Sequence, residues 1–280
     1  MRCCVISVLV LLAPLSAAGV VLNPRQGHTY ASISAALASA SDHDVFLVST
    51  GVYHEHVYLV QNHTLLGGYL PDFSGRTNDP RLTVVDAGGA TNVVSTFGQN
   101  DVIIDGMTLT NGVAECGGGL FVWKLMHVTL RTSIVAGCTA TIGGGILADG
   151  TLTLYDSAVH GCQAEQGGGI AATSGTAHVT LAGAHTEIYH NSATDGGGLW
   201  VSTAHISIVS NASVWGNLAS ARGGALFLGN NAQALISGPG TIIGAPAPNW
   251  VTNTAAEGGG AYVSHAMLVV EDGAAFHANH

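Results

Sequence analysis

The sequence predicts an all-β protein, a single-stranded right-handed parallel β-helix (a solenoid) with a short N-terminal capping helix. Three observations predict this fold: a glycine triplet recurs, an asparagine or cysteine precedes each triplet by five or six residues, and apolar and polar residues alternate between triplets. Alternation with a period of two is typical of strands. One coil cannot bury its apolar side alone, so a repeat of about 25 residues without helical periodicity indicates stacked coils. The right hand follows from the strong preference of parallel crossovers.

The glycine triplets mark one corner of each coil. Each copy is followed by an apolar residue, and successive copies lie 26, 24, 29, 27 and 35 residues apart. The copies begin at Gly117, Gly143, Gly167, Gly196, Gly223 and Gly258. Glycine suits a sharp corner because it adopts positive φ and lets two backbones approach closely. The 39 glycines of the chain are therefore predicted to build corners rather than flexible linkers.

A second position repeats ahead of the triplets. It is occupied by Asn111, Cys138, Cys162, Asn191, Asn217, Asn253 and Asn279. Asparagine tolerates the left-handed conformation of a corner and can bond to its equivalents in neighbouring coils. The Cα atoms of Cys138 and Cys162 should lie about 4.8 Å apart, inside the disulfide window, but parallel stacking keeps the Cβ atoms slightly too far apart. A disulfide and a stacked pair of thiols both remain open.

The low charge of the chain fits stacked coils. Only 9% of its 280 residues are Asp, Glu, Lys or Arg, and the formal net charge is −10. Like charges stacked about 4.8 Å apart would repel each other, whereas Asn, Thr, Ser and Gly can stack. The acidic balance argues against nucleic-acid binding. No stretch after the N-terminal segment is long and apolar enough for a transmembrane helix.

The N-terminal segment, residues 1–18, is predicted to be a signal peptide. Arg2 precedes an apolar run at 3–15, and small residues follow at 16–18. That arrangement is typical of secretory signals and is too short to span a bilayer. We therefore expect a secreted or cell-surface protein, associated with the outer membrane if the source is bacterial.

The remaining chain is predicted to form one solenoid in two parts. Residues 19–110 hold the cap and the first coils, with a helix at 31–38 over the open first coil and a loop at 70–82. Strands are predicted at 45–48, 57–60, 64–68, 83–86 and 101–106. Residues 111–280 hold the triplet coils, and we expect this part to be incomplete because no polar cap follows the last coil.

Two stretches carry a resemblance to known families. Residues 32–69 run from a helix through Gly51-Val52-Tyr53 and Glu55 to a Gly-Gly-Tyr turn, and they resemble the opening of pectin-lyase-like right-handed β-helix proteins. The triplet units, together with Phe276-His277-Ala278-Asn279, resemble the repeat of polymorphic outer membrane proteins. Cys138 and Cys162 depart from that repeat by replacing its asparagine. The resemblance implies the fold and a surface location, and the shared residues are architectural.

The best carboxylate candidates for catalysis are Asp86, Asp101 and Asp105. Asp101 and Asp105 lie on one side of a predicted strand, about 13 Å apart. That distance exceeds either glycosidase spacing. Asp86 is expected to stack near Asp105 from the previous coil. Turn chemistry also accounts for these residues, because glycines follow Asp86 and Asp105 closely. We therefore assign no catalytic residue.

Metal and cofactor sites are equally weak. His54 and His56 share one side of a predicted strand, but a metal site needs at least one more ligand. Acidic residues before the triplets form a row that could attract calcium: Glu115, Glu165, Asp195 and Glu257. One carboxylate per coil does not make a six-ligand site, so no cofactor is predicted.

Two functions fit the sequence. The first is a non-catalytic adhesin or structural passenger that binds glycans or proteins of host or neighbouring cells through its long side wall. The alternative is a polysaccharide lyase or glycoside hydrolase of the pectin-lyase-like class. In that case the activity would lie in the loop at 70–82 or in the longest repeat, the 35-residue unit at 223–257, since long loops often carry function.

Overall fold

The computed structural model describes residues 19–245 and 251–280, which are built mainly of short parallel strands. The predicted signal peptide at 1–18 lies outside the described residues. Trp250, the apolar residue three positions before Asn253 in the repeat, lies outside them as well. The all-β prediction is confirmed. Long parallel sheets stack the strands of successive coils, an arrangement consistent with a parallel β-helix.

Three long sheets hold most strands of the described residues, and the strands of each sheet stack in a regular order along its length. The eleven-stranded sheet contains, in that order, His28–Tyr30, Val21–Asn23, Val45–Ser49, His63–Tyr69, Asp101–Asp105, His127–Arg131, Thr151–Tyr155, His178–Ala182, His205–Ile208, Gln233–Ser237 and Met267–Glu271. The nine-stranded sheet contains Gly51–His54, Thr83–Asp86, Thr108–Thr110, Ile134–Ala136, Ala158–His160, Glu187–Tyr189, Ser213–Trp215, Ile242–Gly244 and Ala275–His277. The eight-stranded sheet contains Val57–Leu59, Val94–Thr96, Leu120–Val122, Ile146–Ala148, Ile170–Ala172, Leu199–Ser202, Leu226–Gly229 and Ala261–Ser264. Two short pairs, Val113–Cys116 with Thr139–Ile142 and Ser192–Asp195 with Leu218–Arg222, lie between the nine- and eight-stranded sheets along the chain.

The core lies between the three long sheets. The chain enters the sheets in a fixed order, so each coil adds one strand to each sheet, in register with the coil before. Alternate residues therefore point inward in rows, and Leu130, Leu154, Leu181 and Ile208 form one such buried row. Burying each of these side chains stabilises the fold by roughly 1.5–3 kcal/mol.

The described part of the chain begins with an antiparallel segment, which the predicted helix follows. Strand Val21–Asn23 pairs antiparallel with both His28–Tyr30 and Val45–Ser49, which the sequence pattern did not predict. The helix spans Ile33–Ala38 and begins after Ser32, whose hydroxyl accepts a hydrogen bond from the Ala35 N–H. Ile33 and Ala36 are the buried residues of this helix.

The predicted loop at 70–82 is held by Arg76. Its Nε donates to the Gly67 carbonyl at 2.7 Å, and its Nη2 donates to the Asp105 carboxylate at 2.8 Å. The loop ends in a 3₁₀ turn, Pro80–Leu82, in which the Arg81 N–H donates to the Asp79 carboxylate at 3.0 Å. The Thr108 hydroxyl donates to the Pro80 carbonyl, so this turn lies against the nine-stranded sheet.

Asparagines form a buried ladder along one corner. Asn191, Asn217 and Asn253 are fully buried, and Nδ2 of each donates to Oδ1 of the next asparagine along the chain, ending at Asn279, at 2.9–3.1 Å. Each Nδ2 also donates to a carbonyl of the preceding coil, as from Asn217 to Ile188 at 2.8 Å. These bonds satisfy amides that would otherwise be costly to bury.

Asn111 does not belong to this ladder, which corrects the sequence assignment. Leu109 pairs with Val135, so Gly112, one residue later than Asn111, is the equivalent of Cys138. Asn111 instead occupies the exposed left-handed corner with a φ of 56° and donates to the Asp86 carboxylate at 3.0 Å. In the first repeat the ladder position is therefore occupied by Gly112, the residue after the asparagine.

Cys138 and Cys162 continue the ladder as buried residues in adjacent coils. The structure has both as thiols, each donating from Sγ to a carbonyl two residues earlier at 3.4 Å. The neighbouring Cys138 and burial raise the pKa of the Cys162 thiol. A disulfide between them remains a prediction.

The middle glycine of a triplet has no room for a side chain. In Gly168→Ala the new Cβ would lie 2.5 and 2.6 Å from the Ser192 and Gly197 carbonyl oxygens, so we expect a loss of about 1–3 kcal/mol in unfolding free energy. The matched control is Gly161→Asn in the same coil. That corner is open, and its equivalent positions already hold Asn111 and His190 at positive φ, so we expect a loss below about 1 kcal/mol. Urea unfolding followed by circular dichroism measures both, and equal losses would contradict the assignment.

The asparagine ladder predicts a second contrast. Asn217→Ala removes the buried Oδ1 that accepts from both the Nδ2 and the backbone N–H of Asn191, and the Nδ2 that donates to Asn253, so we expect a loss of about 2–4 kcal/mol in unfolding free energy. Asn111→Gly, at the exposed corner, should cost less than about 1 kcal/mol because glycine occupies the equivalent Gly137 and Gly161. The same urea measurement tests both variants. A large loss in Asn111→Gly would restore Asn111 to the ladder.

Candidate functional site

The three carboxylates proposed from the sequence lie apart. Asp86 belongs to the nine-stranded sheet and accepts hydrogen bonds from Asn111 and Gly88, whereas Asp105 belongs to the eleven-stranded sheet and pairs with Arg76. The expected stacking of Asp86 on Asp105 is therefore wrong. Asp101, at the other end of its strand, lies 3.1 Å from His127. Each carboxylate has its own partner, and they form no shared site.

His54 and His56 do not share a strand. The strand Gly51–His54 ends before Glu55, and the next strand, Val57–Leu59, belongs to a different sheet. His54 Nδ1 lies 3.9 Å from the Asp86 carboxylate, and His56 Nε2 lies 3.0 Å from the Ser95 hydroxyl. Glu55, at the bend, accepts hydrogen bonds from the N–H groups of Ile33 and Ser34 at 2.7 and 2.8 Å. The bend thus serves the helix N-terminus, where a carboxylate is favoured.

The acidic row before the triplets is interrupted by a cation. Arg222 stands in register between Asp195 and Glu257 and holds the Asp195 carboxylate with two hydrogen bonds of 2.9 and 2.6 Å. The guanidinium also lies over the rings of Phe227 and Tyr262, at 4.9 and 5.3 Å from their centroids. Within this cluster the Arg222 guanidinium therefore neutralises the Asp195 carboxylate.

A cleft, which we call the loop cleft, lies between the loop at 70–82 and the outer side of the nine-stranded sheet. Its volume is about 860 Å³, within the range of small-ligand sites. It is lined by Thr77, Asn78, Asp79, Pro80 and Arg81 of the loop and by Ile134, His160, His185, Glu187 and Tyr189 of the coils. Half-buried Ala158 pairs with Glu187 in the adjacent coil, so a small residue precedes the carboxylate in that row.

Aromatic rings form one side of the loop cleft because three coils hold them at one position. His160, Tyr189 and Trp215 occur in register, and their rings stack at centroid distances of 4.7 and 4.6 Å. His190 packs edge-on against both Tyr189 and Trp215. The stack gives a continuous aromatic surface, of which His160 and Tyr189 line the cleft.

The pKa values of the ionisable groups in the loop cleft are shifted in opposite directions. Burial raises the pKa of the Glu187 carboxyl, against the opposing effects of Trp215 and His185. Hydrogen bonds from the Arg81 side chain lower the pKa of Asp79, whose two oxygens accept from Nε and Nη2 at 2.8 Å. Burial, and then His190, lower the pKa of His160. The cleft therefore combines a carboxyl that holds its proton more readily with a fixed carboxylate–guanidinium pair.

Sequence reasoning missed this cleft. His160, Tyr189 and Trp215 each stand two residues before Cys162, Asn191 and Asn217, so the repeat alone could have placed the rings in one row. Glu187, two residues before Tyr189, could have been placed in the same way. The approach of Arg81 depends on how the loop folds over the sheet, which no local pattern reveals.

In comparison with known proteins, no protein-family model, curated protein or solved structure matches the chain. The likeness to pectin-lyase-like proteins and to polymorphic outer membrane protein repeats thus remains a prediction. No helix within 19–245 or 251–280 is long and apolar enough to cross a membrane. Among those same residues, no group of three His, Cys, Asp or Glu side chains is arranged to hold a metal ion.

The lowered pKa of His160 predicts a loss of stability in mild acid. The fold favours the neutral imidazole, so its contribution is present above the unfolded-state pKa of about 6.5 and is lost as pH falls through the lower folded-state pKa. We expect the unfolding free energy to fall between pH 7.5 and pH 5.5 (about one unit either side of that pKa), and to fall less in His160→Gln.

Urea unfolding at several pH values measures this slope. His277→Gln is the matched control, because it removes an exposed imidazole from the same row in the last coil, paired with Gly244. It should keep the wild-type slope. An identical slope in wild type and His160→Gln would contradict the prediction.

Proposed function

We propose that the chain is a secreted or cell-surface right-handed β-helix whose first coil is capped by the helix Ile33–Ala38. The cap is supported by burial of Ile33 and Ala36 and by the two hydrogen bonds that Glu55 accepts from the helix N-terminus. The right hand is supported by the general preference of parallel crossovers. Secretion is supported by the sequence pattern at 1–18.

The function that we propose is non-catalytic binding of a surface glycan through the side wall, in the manner of an adhesin or structural passenger. The loop cleft carries this proposal. Sugars present apolar C–H groups and polar hydroxyls together, and the cleft offers the same combination: the rings of His160 and Tyr189 beside the polar groups of Glu187, Asp79 and Arg81.

A rigid loop supports binding without closure. Arg76 and the bond from Thr108 to Pro80 fix the loop against two sheets, so the cleft is formed before a ligand arrives. A pre-formed site loses less conformational entropy on binding.

A second candidate, a glycoside hydrolase or polysaccharide lyase of the pectin-lyase-like class, is favoured by the opposite pKa shifts of Glu187 and Asp79. Two carboxyls whose pKa values are pushed apart in one site are typical of acid–base pairs. Against this role, Arg81 already binds both oxygens of Asp79, which leaves it a poor base.

Titration calorimetry against polygalacturonate, alginate, hyaluronan and xyloglucan, with calcium present, tests the proposal. We expect binding to at least one polysaccharide and a loss of about tenfold in affinity in Tyr189→Ala, because one stacked ring is removed from the cleft. The matched control is Tyr155→Ala, an exposed tyrosine on the eleven-stranded sheet outside the cleft, which should bind like wild type.

Turnover is followed in parallel through reducing ends and the absorbance of unsaturated uronides. Turnover that disappears in Glu187→Gln would replace the binding function with the enzymatic one. Absence of binding to every polysaccharide, or equal binding by wild type and Tyr189→Ala, would refute the loop cleft as the site.

A further inference from the structure

A group of aromatic rings lies exposed on the first coils of the eight-stranded sheet, away from the loop cleft. This aromatic patch consists of Tyr58, Phe97, Phe121 and Trp123. Tyr58 and Trp123 each lie 5.1 Å from Phe97, and Phe121 packs edge-on against Phe97 and Trp123. Tyr58 and Trp123 remain 49% and 40% exposed. Contiguous exposed apolar surface of this kind marks an interaction site.

Leu125 lies in the same turn as Trp123, and a structural role does not explain its conformation or its exposure. It is 53% exposed and adopts positive φ, two residues before a strand of the eleven-stranded sheet. The equivalent left-handed residues in later coils are polar: Thr203, Asn231 and His265. A strained, exposed leucine where its equivalents are polar indicates a functional constraint.

A small polar pocket, which we call the amide pocket, adjoins this turn. It has a volume of about 400 Å³ and is lined by Gln99, Asn100, Asp101, Leu125 and His127. The Asn100 amide is oriented by a hydrogen bond of 2.8 Å to the Val60 carbonyl, and His127 lies 3.1 Å from the Asp101 carboxylate. Leu125 lines this pocket, and Trp123 belongs to the same turn, which is closed by the hydrogen bond from the Met126 N–H to the Trp123 carbonyl, so the pocket adjoins the aromatic patch along the chain.

Asp149 adds a carboxylate beside the patch. Its N–H donates to the carbonyl of Val122, the residue before Trp123, so Asp149 follows Trp123 in the next coil. Its carboxylate accepts a hydrogen bond from the Thr173 hydroxyl. Aromatic rings, amides and carboxylates are therefore grouped within neighbouring coils.

We propose that the aromatic patch and the amide pocket form a second, independent binding site for a neutral pyranose-based glycan. The apolar side of a sugar ring would lie against Trp123 and Leu125, and its hydroxyls would bond to Gln99, Asn100, Asp101 or Asp149. A pyranose needs this combination of apolar surface and convergent amide and carboxylate groups.

Charge and packing argue for a neutral glycan over other partners. The only lysine of the chain, Lys124, lies between Trp123 and Leu125 in a region that also holds Asp101 and Asp149, so an acidic polymer gains little. The four rings pack on one another along the sheet, and amide and carboxylate groups adjoin them, so the surface is not uniformly apolar as insertion into a bilayer would favour.

Saturation-transfer NMR and titration calorimetry with cellohexaose and laminarihexaose test this site. We expect transfer from aromatic protons to sugar C–H protons, and a loss of about tenfold in affinity in Trp123→Ala. Leu125→Asn should also weaken binding, while raising the midpoint of thermal unfolding by about 1–3 °C because asparagine accepts the left-handed conformation better. This stable variant separates a binding defect from misfolding.

The controls separate this site from the loop cleft. Trp200→Ala changes a half-buried ring farther along the same sheet and should bind the hexasaccharides like wild type. Tyr189→Ala removes a ring of the loop cleft, so hexasaccharide affinity that falls in Tyr189→Ala but not in Trp123→Ala would place the binding in the loop cleft and overturn the proposal. Absence of saturation transfer from both hexasaccharides, or unchanged binding in Trp123→Ala and Leu125→Asn, would overturn the proposal. Binding to phosphatidylcholine–phosphatidylglycerol vesicles that disappears in Trp123→Ala would overturn it in favour of a lipid surface.

Discussion

Backbone hydrogen bonds between successive coils are the interaction on which the rest of the structure depends. They run through the strands and continue through the corners, as from the Gly144 N–H to the Gly167 carbonyl and from the Gly168 N–H to the Gly196 carbonyl. They hold the coils about 4.8 Å apart, so each residue lies over its equivalent in the next coil. A position can therefore hold only residues that tolerate a similar neighbour on both sides.

The asparagine ladder shows what this constraint permits in the interior. A buried asparagine is satisfied because its neighbours are also asparagines, each Oδ1 accepting from the Nδ2 of the preceding one. Where the row changes to cysteine, the Cys162 N–H donates to Asn191 Oδ1, so no acceptor is left unpaired at the junction. The thiols beyond it need only a carbonyl each. Charges obey the same rule with opposite signs, as Asp195 and Arg222 show in adjacent coils.

The repeat could be predicted from the sequence because the corners require glycine, and glycine is visible in the sequence. Asn111 was misplaced because asparagine serves both the left-handed corner and the ladder. Only the spacing from Leu109 to Gly112 distinguishes the two positions. The prediction of one strand through His54 and His56 was wrong for another reason. Glu55 lies at the corner where the first coil passes from the nine-stranded to the eight-stranded sheet, and no glycine stands between the two strands to mark that corner in the sequence.

The candidate sites were harder to predict because they occur where the rows lose their repetition. In the nine-stranded sheet, one row changes from Ala136 to His160, Tyr189 and Trp215 and then to Gly244. Three rings stacked at the coil spacing give a surface about 10 Å long. A ligand that follows the axis would meet aromatic surface over that length and small residues on either side. Under the proposed function, the interruption of this row, rather than the repeat itself, would limit where along the nine-stranded sheet a ligand binds and how much of it is held.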